Sequence, residues 1–116
     1  MPPAPRFAAS LEAFGRPDFE QVLRRGVLAH NWQVPIHEFC RSGAWPELDP
    51  DLRLSVHRAE DLGDRIRITA FVSFTGRVPS YCNDCAHTEP ADGFLHITLH
   101  RPEGEAEFAA EPLGPG

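Results

Sequence analysis

From Leu52 onward the apolar residues of this chain recur at every second position. Leu52, Leu54 and Val56 alternate with Arg53, Ser55 and His57. Ile66, Ile68, Ala70, Val72 and Phe74 alternate with Arg65, Arg67, Thr69, Phe71 and Ser73, and Leu95, Ile97 and Leu99 with Phe94, His96, Thr98 and His100. A β-strand sends successive side chains to opposite faces, so this period predicts strands with one face buried and the other polar, the pattern of an antiparallel sheet. Glu60-Asp61-Leu62-Gly63-Asp64 and Arg101-Pro102-Glu103-Gly104 carry turn residues, and the second leads into a short last strand around Glu105 to Ala110. The expectation is a four-stranded antiparallel meander whose apolar face must be covered.

The cover lies upstream. Phe19, Val22, Leu23, Val27 and Leu28 recur at offsets that share one helical face, with Glu20, Arg24 and Arg25 off it. This predicts an amphipathic helix from Asp18 to about His30, with the carboxylate of Asp18 at the positive end of the helix dipole and His30 at the negative end. Gly26 inside the helix costs up to about 1 kcal/mol relative to alanine, which implies a close neighbour there. Between Trp32 and Ala44 the alternation of Trp32, Val34 and Ile36 competes with a short helix starting at Pro35, and we read the helix, ended by Ser42-Gly43. Trp45 to Pro50 reads as a loop, because residues before proline are held extended.

The fold class is therefore α+β: an N-terminal amphipathic helix, with a second short helix, packed on a four-stranded antiparallel meander. Residues 1–9, rich in proline and alanine without periodicity, are expected to be a disordered tail, 10–110 the single domain, and 111–116 a second disordered tail. A chain of 116 residues has room for one core. Cystatin-like and similar helix-on-sheet architectures have this element order, which fixes no function.

The formal charge is −6, from 17 acidic residues against 11 basic ones, all of them arginine. A nucleic-acid binder needs a basic surface to displace counterions, so nucleic acid is not the expected partner; a basic protein fits the charge better. No run approaches the roughly 20 apolar residues of a membrane span and no leader pattern opens the chain, so a cytoplasmic protein without membrane association is expected.

Two of the three cysteines stand in Ser80-Tyr81-Cys82-Asn83-Asp84-Cys85-Ala86-His87. A two-residue spacer lets a tight turn point both sulfurs at one metal, and His37 and Cys40 share that spacing, so Cys82, Cys85, Cys40 and His37 form a candidate zinc set. His87 competes as the fourth ligand, and His30 is a more distant one. With only Cys82, Cys85 and His87 bound, one position would stay open and Glu89 would be the nearest base. Two other readings stand beside zinc: inert thiols, with Cys40 a small buried hydrophobe, and a redox pair, which Asp84 disfavours by opposing a thiolate.

The second constellation is the polar sheet face, where His57, Arg65, Arg67, His96 and His100 offer forks and imidazoles to an anionic group, with Phe71 and Phe94 among them. His96 and His100, about 13 Å apart along one strand, cannot share a metal. Phosphate-cradling loops, nucleophile elbows, His-Glu-x-x-His and dinucleotide fingerprints are missing. The expectation is a small acidic interaction module acting through a protein partner, with zinc pinning the 80s loop. A small-molecule binder or enzyme with a pocket between helix and sheet is the alternative.

Overall fold

The computed structural model describes residues 5–30, 33–40, 45–47, 52–78 and 87–113, with Trp45, Glu47, Val78 and His87 described by their backbone alone. Two helices, α1 (Ala8–Ala13) and α2 (Phe19–Ala29), and a 3-10 turn (Ile36–Phe39) precede five strands: β1 (Trp45–Glu47), β2 (Arg53–Asp61), β3 (Arg65–Val78), β4 (His87–His100) and β5 (Glu105–Pro112). Strands β2 to β5 form the expected antiparallel meander. The short β1 pairs with β3 beyond the start of β2, Glu47 opposite Thr75 and Arg53 opposite Ser73, so both lie along one edge of β3. The chain is α+β as its residue periods require.

Helix α2 presents Phe19, Leu23 and Val27 to the sheet, and Arg24 ties it to the start of β2 by donating from Nε to the Leu52 carbonyl at 2.7 Å. The 3-10 turn adds Ile36 and Phe39. Facing them are Ile66, Ile68, Ala70 and Val72 of β3 and Leu95, Ile97 and Leu99 of β4, all at most 2% exposed. Burying each isoleucine, leucine or valine among them contributes about 1.5–3 kcal/mol before conformational entropy is set against it. These side chains form one continuous core cluster between helices and sheet.

Four features depart from the expectation. The fold begins earlier than residue 10: Arg6 bridges to Glu105, Phe7 is 3% exposed, and α1 follows at once. Phe7 anchors this segment because its ring lies against α2 at Gly26, stacks on His30 at 5.4 Å and meets Phe108 at 5.7 Å. At the other end Glu111 and Pro112, expected in a tail, pair with Phe94 and Gly93. Residues 45–47, read as loop, are strand β1. Strand β4 starts at His87 and not near Phe94; its inward residues Ala91 and Gly93 are small, Gly93 lying under Phe39, so apolar bulk does not mark them as strand.

A bulge between Val56 and Arg58 re-phases β2. Val56 faces Ala70, Arg58 faces Thr69, and His57 is the extra residue, so the strand's outward set gains Arg58 and its inward set continues with Ala59. Bulges add local twist and interrupt regular pairing, which suits an edge strand.

The two hairpin turns at the same end are clamped together by Arg101. Its Nη1 and Nη2 donate to the Asp61 carboxylate at 2.6 and 3.1 Å, and Nη1 also donates to the Gly63 carbonyl at 2.7 Å. Asp61 Oδ1 in turn accepts the Gly63 N–H at 2.9 Å, a turn in which Gly63 takes φ +96°. The Arg101 hydrogen bond, then that of Gly63, holds the Asp61 carboxyl below its ordinary range. A folded-state pKa below the unfolded one gives stability that is present above the unfolded value, about 3.9, and lost as pH falls through the lower folded value. Asp61→Asn is therefore expected to lower the urea midpoint at pH 5–7, with the gap to the parent closing below about pH 4. Urea melts at pH 7, 5 and 3 measure it, and a pH-independent gap contradicts the clamp.

Candidate functional site

Away from the helices lies the sheet's other face, which no helix of the described residues covers. Phe71 on β3 and Phe94 on β4 are directly opposed neighbours, ring centroids 5.7 Å apart and edge-on. His57, placed by the bulge, completes a cluster with centroids 6.1 Å from Phe71 and 5.5 Å from Phe94. Both phenylalanines are half-buried and His57 is exposed. An aromatic cluster on the uncovered side of a sheet gains contact energy within itself yet leaves apolar area in water.

Around it stand charged groups in a definite order. The outward positions of β2 and β3 carry Arg53, Arg58, Arg65, Arg67 and Arg77, while those of β5 carry Glu105, Glu107 and Glu111. Between them on β4 lie His96 and His100. His96 Nε2 is 3.5 Å from Glu111 and its Nδ1 is 3.4 Å from the Thr69 hydroxyl. His100 Nε2 is 3.3 Å from Glu107, close enough to pair when the ring is protonated but not aligned as a hydrogen bond. Arg65 instead turns to its neighbour Asp64, Nε to Oδ1 at 3.2 Å, and that pairing holds the Asp64 carboxyl low. Arg58 pairs with Glu60. The β3 arginines and the β5 glutamates do not meet, because β4 lies between them.

Two of the open depressions among the described residues lie on this face. One, of about 390 Å³, lies over Arg67, Thr69, His96, Thr98 and Glu107, where Ala109 opposite His96 leaves room. The other, of about 450 Å³, lies near Arg53, Ser73, Thr75, Thr88 and Pro90. Thus Arg67 and His96 of the sequence-derived set share one depression, His57 belongs to the aromatic cluster, and Arg65 and His100 sit toward the Arg101 clamp. Sequence reasoning missed Arg58, whose position follows from the bulge, and Glu111, which lay beyond the expected end of the strand.

The described part of the candidate thiol site, Cys40 and His37, lies toward the opposite end. Cys40, directly after the 3-10 turn, is a free, half-buried thiol packed against the core, and His37 is exposed. Burial raises the Cys40 thiol pKa, and the negative charge of Glu89 raises it further, so the thiol is protonated at neutral pH in the absence of a metal. Glu89 lies on the helix-covered side opposite Gly76, and its Oε1 is buried with no hydrogen-bond partner among the described residues. The backbone of His87 pairs with Val78 two positions further along. Cys82 and Cys85 lie outside the described residues, and among those described no group of three Cys, His, Asp or Glu side chains is placed to hold a metal. His30, the distant alternative ligand, stacks on Phe7.

No helix among the described residues is long and apolar enough to cross a membrane. Compared with protein-family models, with curated proteins and with solved structures, the chain finds no match.

Proposed function

We propose that this chain is a small interaction module whose working surface is the uncovered face of its sheet and whose partner is a protein. The observation that carries this reading is the His57–Phe71–Phe94 cluster, aromatic area at the middle of a face whose other positions are mostly charged, hydroxyl or imidazole side chains. Interfaces combine a central aromatic patch with a polar, wet rim, and aromatic anchors carry most of their energy. On an isolated solvated face the opposed phenylalanines gain only the roughly 0.2–1 kcal/mol of a cross-strand pair and leave apolar area in water.

The test uses the chain as bait with Phe71 and Phe94 both changed to threonine, a residue suited to strands. The variant is expected to keep its circular-dichroism spectrum and to lose affinity at least tenfold for a protein that the parent retains and that rebinds when purified. Equal affinity of parent and variant for every retained protein overturns the reading.

A second reading concerns the thiol end. A structural zinc held by Cys82, Cys85 and Cys40, with His37 or His87 as fourth ligand, is supported by one relation: the 3-10 turn that Cys40 caps packs on β4, the strand that His87 opens. Metal would convert the protonated Cys40 thiol to a bound thiolate. Tag-free protein is expected to carry about one zinc per chain and to expose its thiols to titration only after chelation. Metal-free protein with three freely reacting thiols removes the zinc.

A further inference from the structure

We propose that the partner seated on this face is a second copy of the same chain, the two sheets packing face to face about a two-fold axis parallel to the strands; this rests on the sheet face being the interaction surface. The argument begins with how charge is divided across the sheet. On the β2–β3 half, five arginines stand against Glu60 and Asp64, a net of +3; on the β4–β5 half Asp92, Glu105, Glu107 and Glu111 give −4 with the histidines neutral. A face for an acidic or a basic partner would carry one sign. A face divided into opposite halves is complementary to itself, provided that the symmetry operation exchanges left and right.

A two-fold axis along the strands does so. It sets β2 of one copy over β5 of the other and β3 over β4, so each arginine half meets a glutamate half. An axis across the strands would stack arginine on arginine. The Phe71–Phe94 pair spans β3 and β4, the middle of the four-stranded order, so it lies beside the axis and meets its own symmetry mate. This gives an isologous interface with an aromatic centre and ion pairs at the rim.

The size also fits. Strands β3 and β4 have 14 residues each, roughly 46 Å at about 3.3 Å per residue, and four strands span roughly 19 Å. A footprint of several hundred Å² per copy approaches the ~800 Å² of a standard stable interface. The bulged, charged β2 edge makes edge-to-edge pairing the less suitable route to a dimer.

Light scattering and sedimentation of the full chain test the proposal through two charge reversals. Arg53→Glu with Arg67→Glu turns the β2–β3 half from +3 to −1, against the −4 of the other half; Glu107→Arg with Glu111→Arg turns the β4–β5 half from −4 to neutral, against the +3 of the other. The parent is expected to dimerise at tens of micromolar, more weakly as salt rises toward 0.5 M. Each reversed chain alone is expected to be monomeric with a parent-like melting curve, its dimer Kd raised at least tenfold, and the 1:1 mixture to form a heterodimer. A parent that stays monomeric at several hundred micromolar in low salt overturns the proposal, as does a reversed chain that still dimerises or a mixture that stays monomeric. The bait experiment separates this from the broader reading: a monomeric parent that still loses a foreign partner on Phe71→Thr and Phe94→Thr refutes the self-pairing and keeps the interaction face.

Discussion

Phe7→Ala is expected to cost about 3–5 kcal/mol, the range for removing a buried aromatic ring. In a domain whose whole stability is of order 5–15 kcal/mol, that corresponds to a fall of roughly 10–20 °C in Tm. The ring joins parts of the fold distant in sequence: α2 at Gly26, His30 at its C-terminal end, and Phe108 on β5. Its backbone is held too, with the Phe7 N–H donating to the Gly104 carbonyl at 2.8 Å and the Ala106 N–H to the Pro5 carbonyl at 2.9 Å. Gly104, at φ +81°, admits this approach, since a Cβ there would lie 2.9 Å from the Phe7 backbone. The same ring accounts for Gly26. A Cβ on Gly26 would stand 2.7 Å from the Phe7 ring, so Gly26→Ala, which alone would favour the helix by about 1 kcal/mol, is expected to destabilise the parent by about 1–3 kcal/mol. In the Phe7→Ala background the obstruction is gone and the same change is expected to stabilise. A double-mutant cycle by urea denaturation reads this reversal of sign directly. A Gly26→Ala effect of the same sign in both backgrounds means that the ring does not set the position.

The elements with the longest runs of regular period were legible in the residues: α2 within a residue or two, and β2, β3 and the second half of β4 by their alternation. What escaped was built from relations that a local pattern cannot carry. Helix α1 has six residues and no apolar stripe of its own, and Phe7 is fixed by Gly26, Gly104 and Phe108, none of them near it in the chain. The first half of β4 contains Pro90, Ala91 and Gly93, residues poor in strand propensity, and it is a strand because β3 is long enough to pair with it and Phe39 needs the room. Gly26 was the exception, a helix glycine whose cost alone implied a close neighbour. The polar face was likewise predictable, because alternation assigns faces without tertiary knowledge. Its division into halves needed the strand order and the true end of β5, which adds Glu111. The bulge at His57, which brings Arg58 outward, left no mark in the period.

Gly93→Ala is expected to be more damaging than Gly26→Ala and to resist rescue. A Cβ on Gly93 would stand 2.5 Å from the Phe39 ring and 2.6 Å from the carbonyl oxygen of Glu111. The first neighbour is a side chain that can be removed. The second is backbone of β5, held in register by the pairing of Gly93 with Pro112 and of Phe94 with Glu111. Relief therefore requires β5 to shift at the end where Glu111 also approaches His96. We expect a loss of about 3 kcal/mol, at the upper end of overpacking costs. Phe39→Ala, which itself removes a ring lying edge-on to Phe74 at 6.3 Å, should leave most of that loss in place. Amide hydrogen exchange localises the effect: in Gly93→Ala the protection of the β4–β5 ladder near residues 93–95 and 109–112 should fall well before that of β2 and β3. Full recovery of the Gly93→Ala loss in the Phe39→Ala background would place the obstruction at the ring alone and leave the β5 carbonyl without a role.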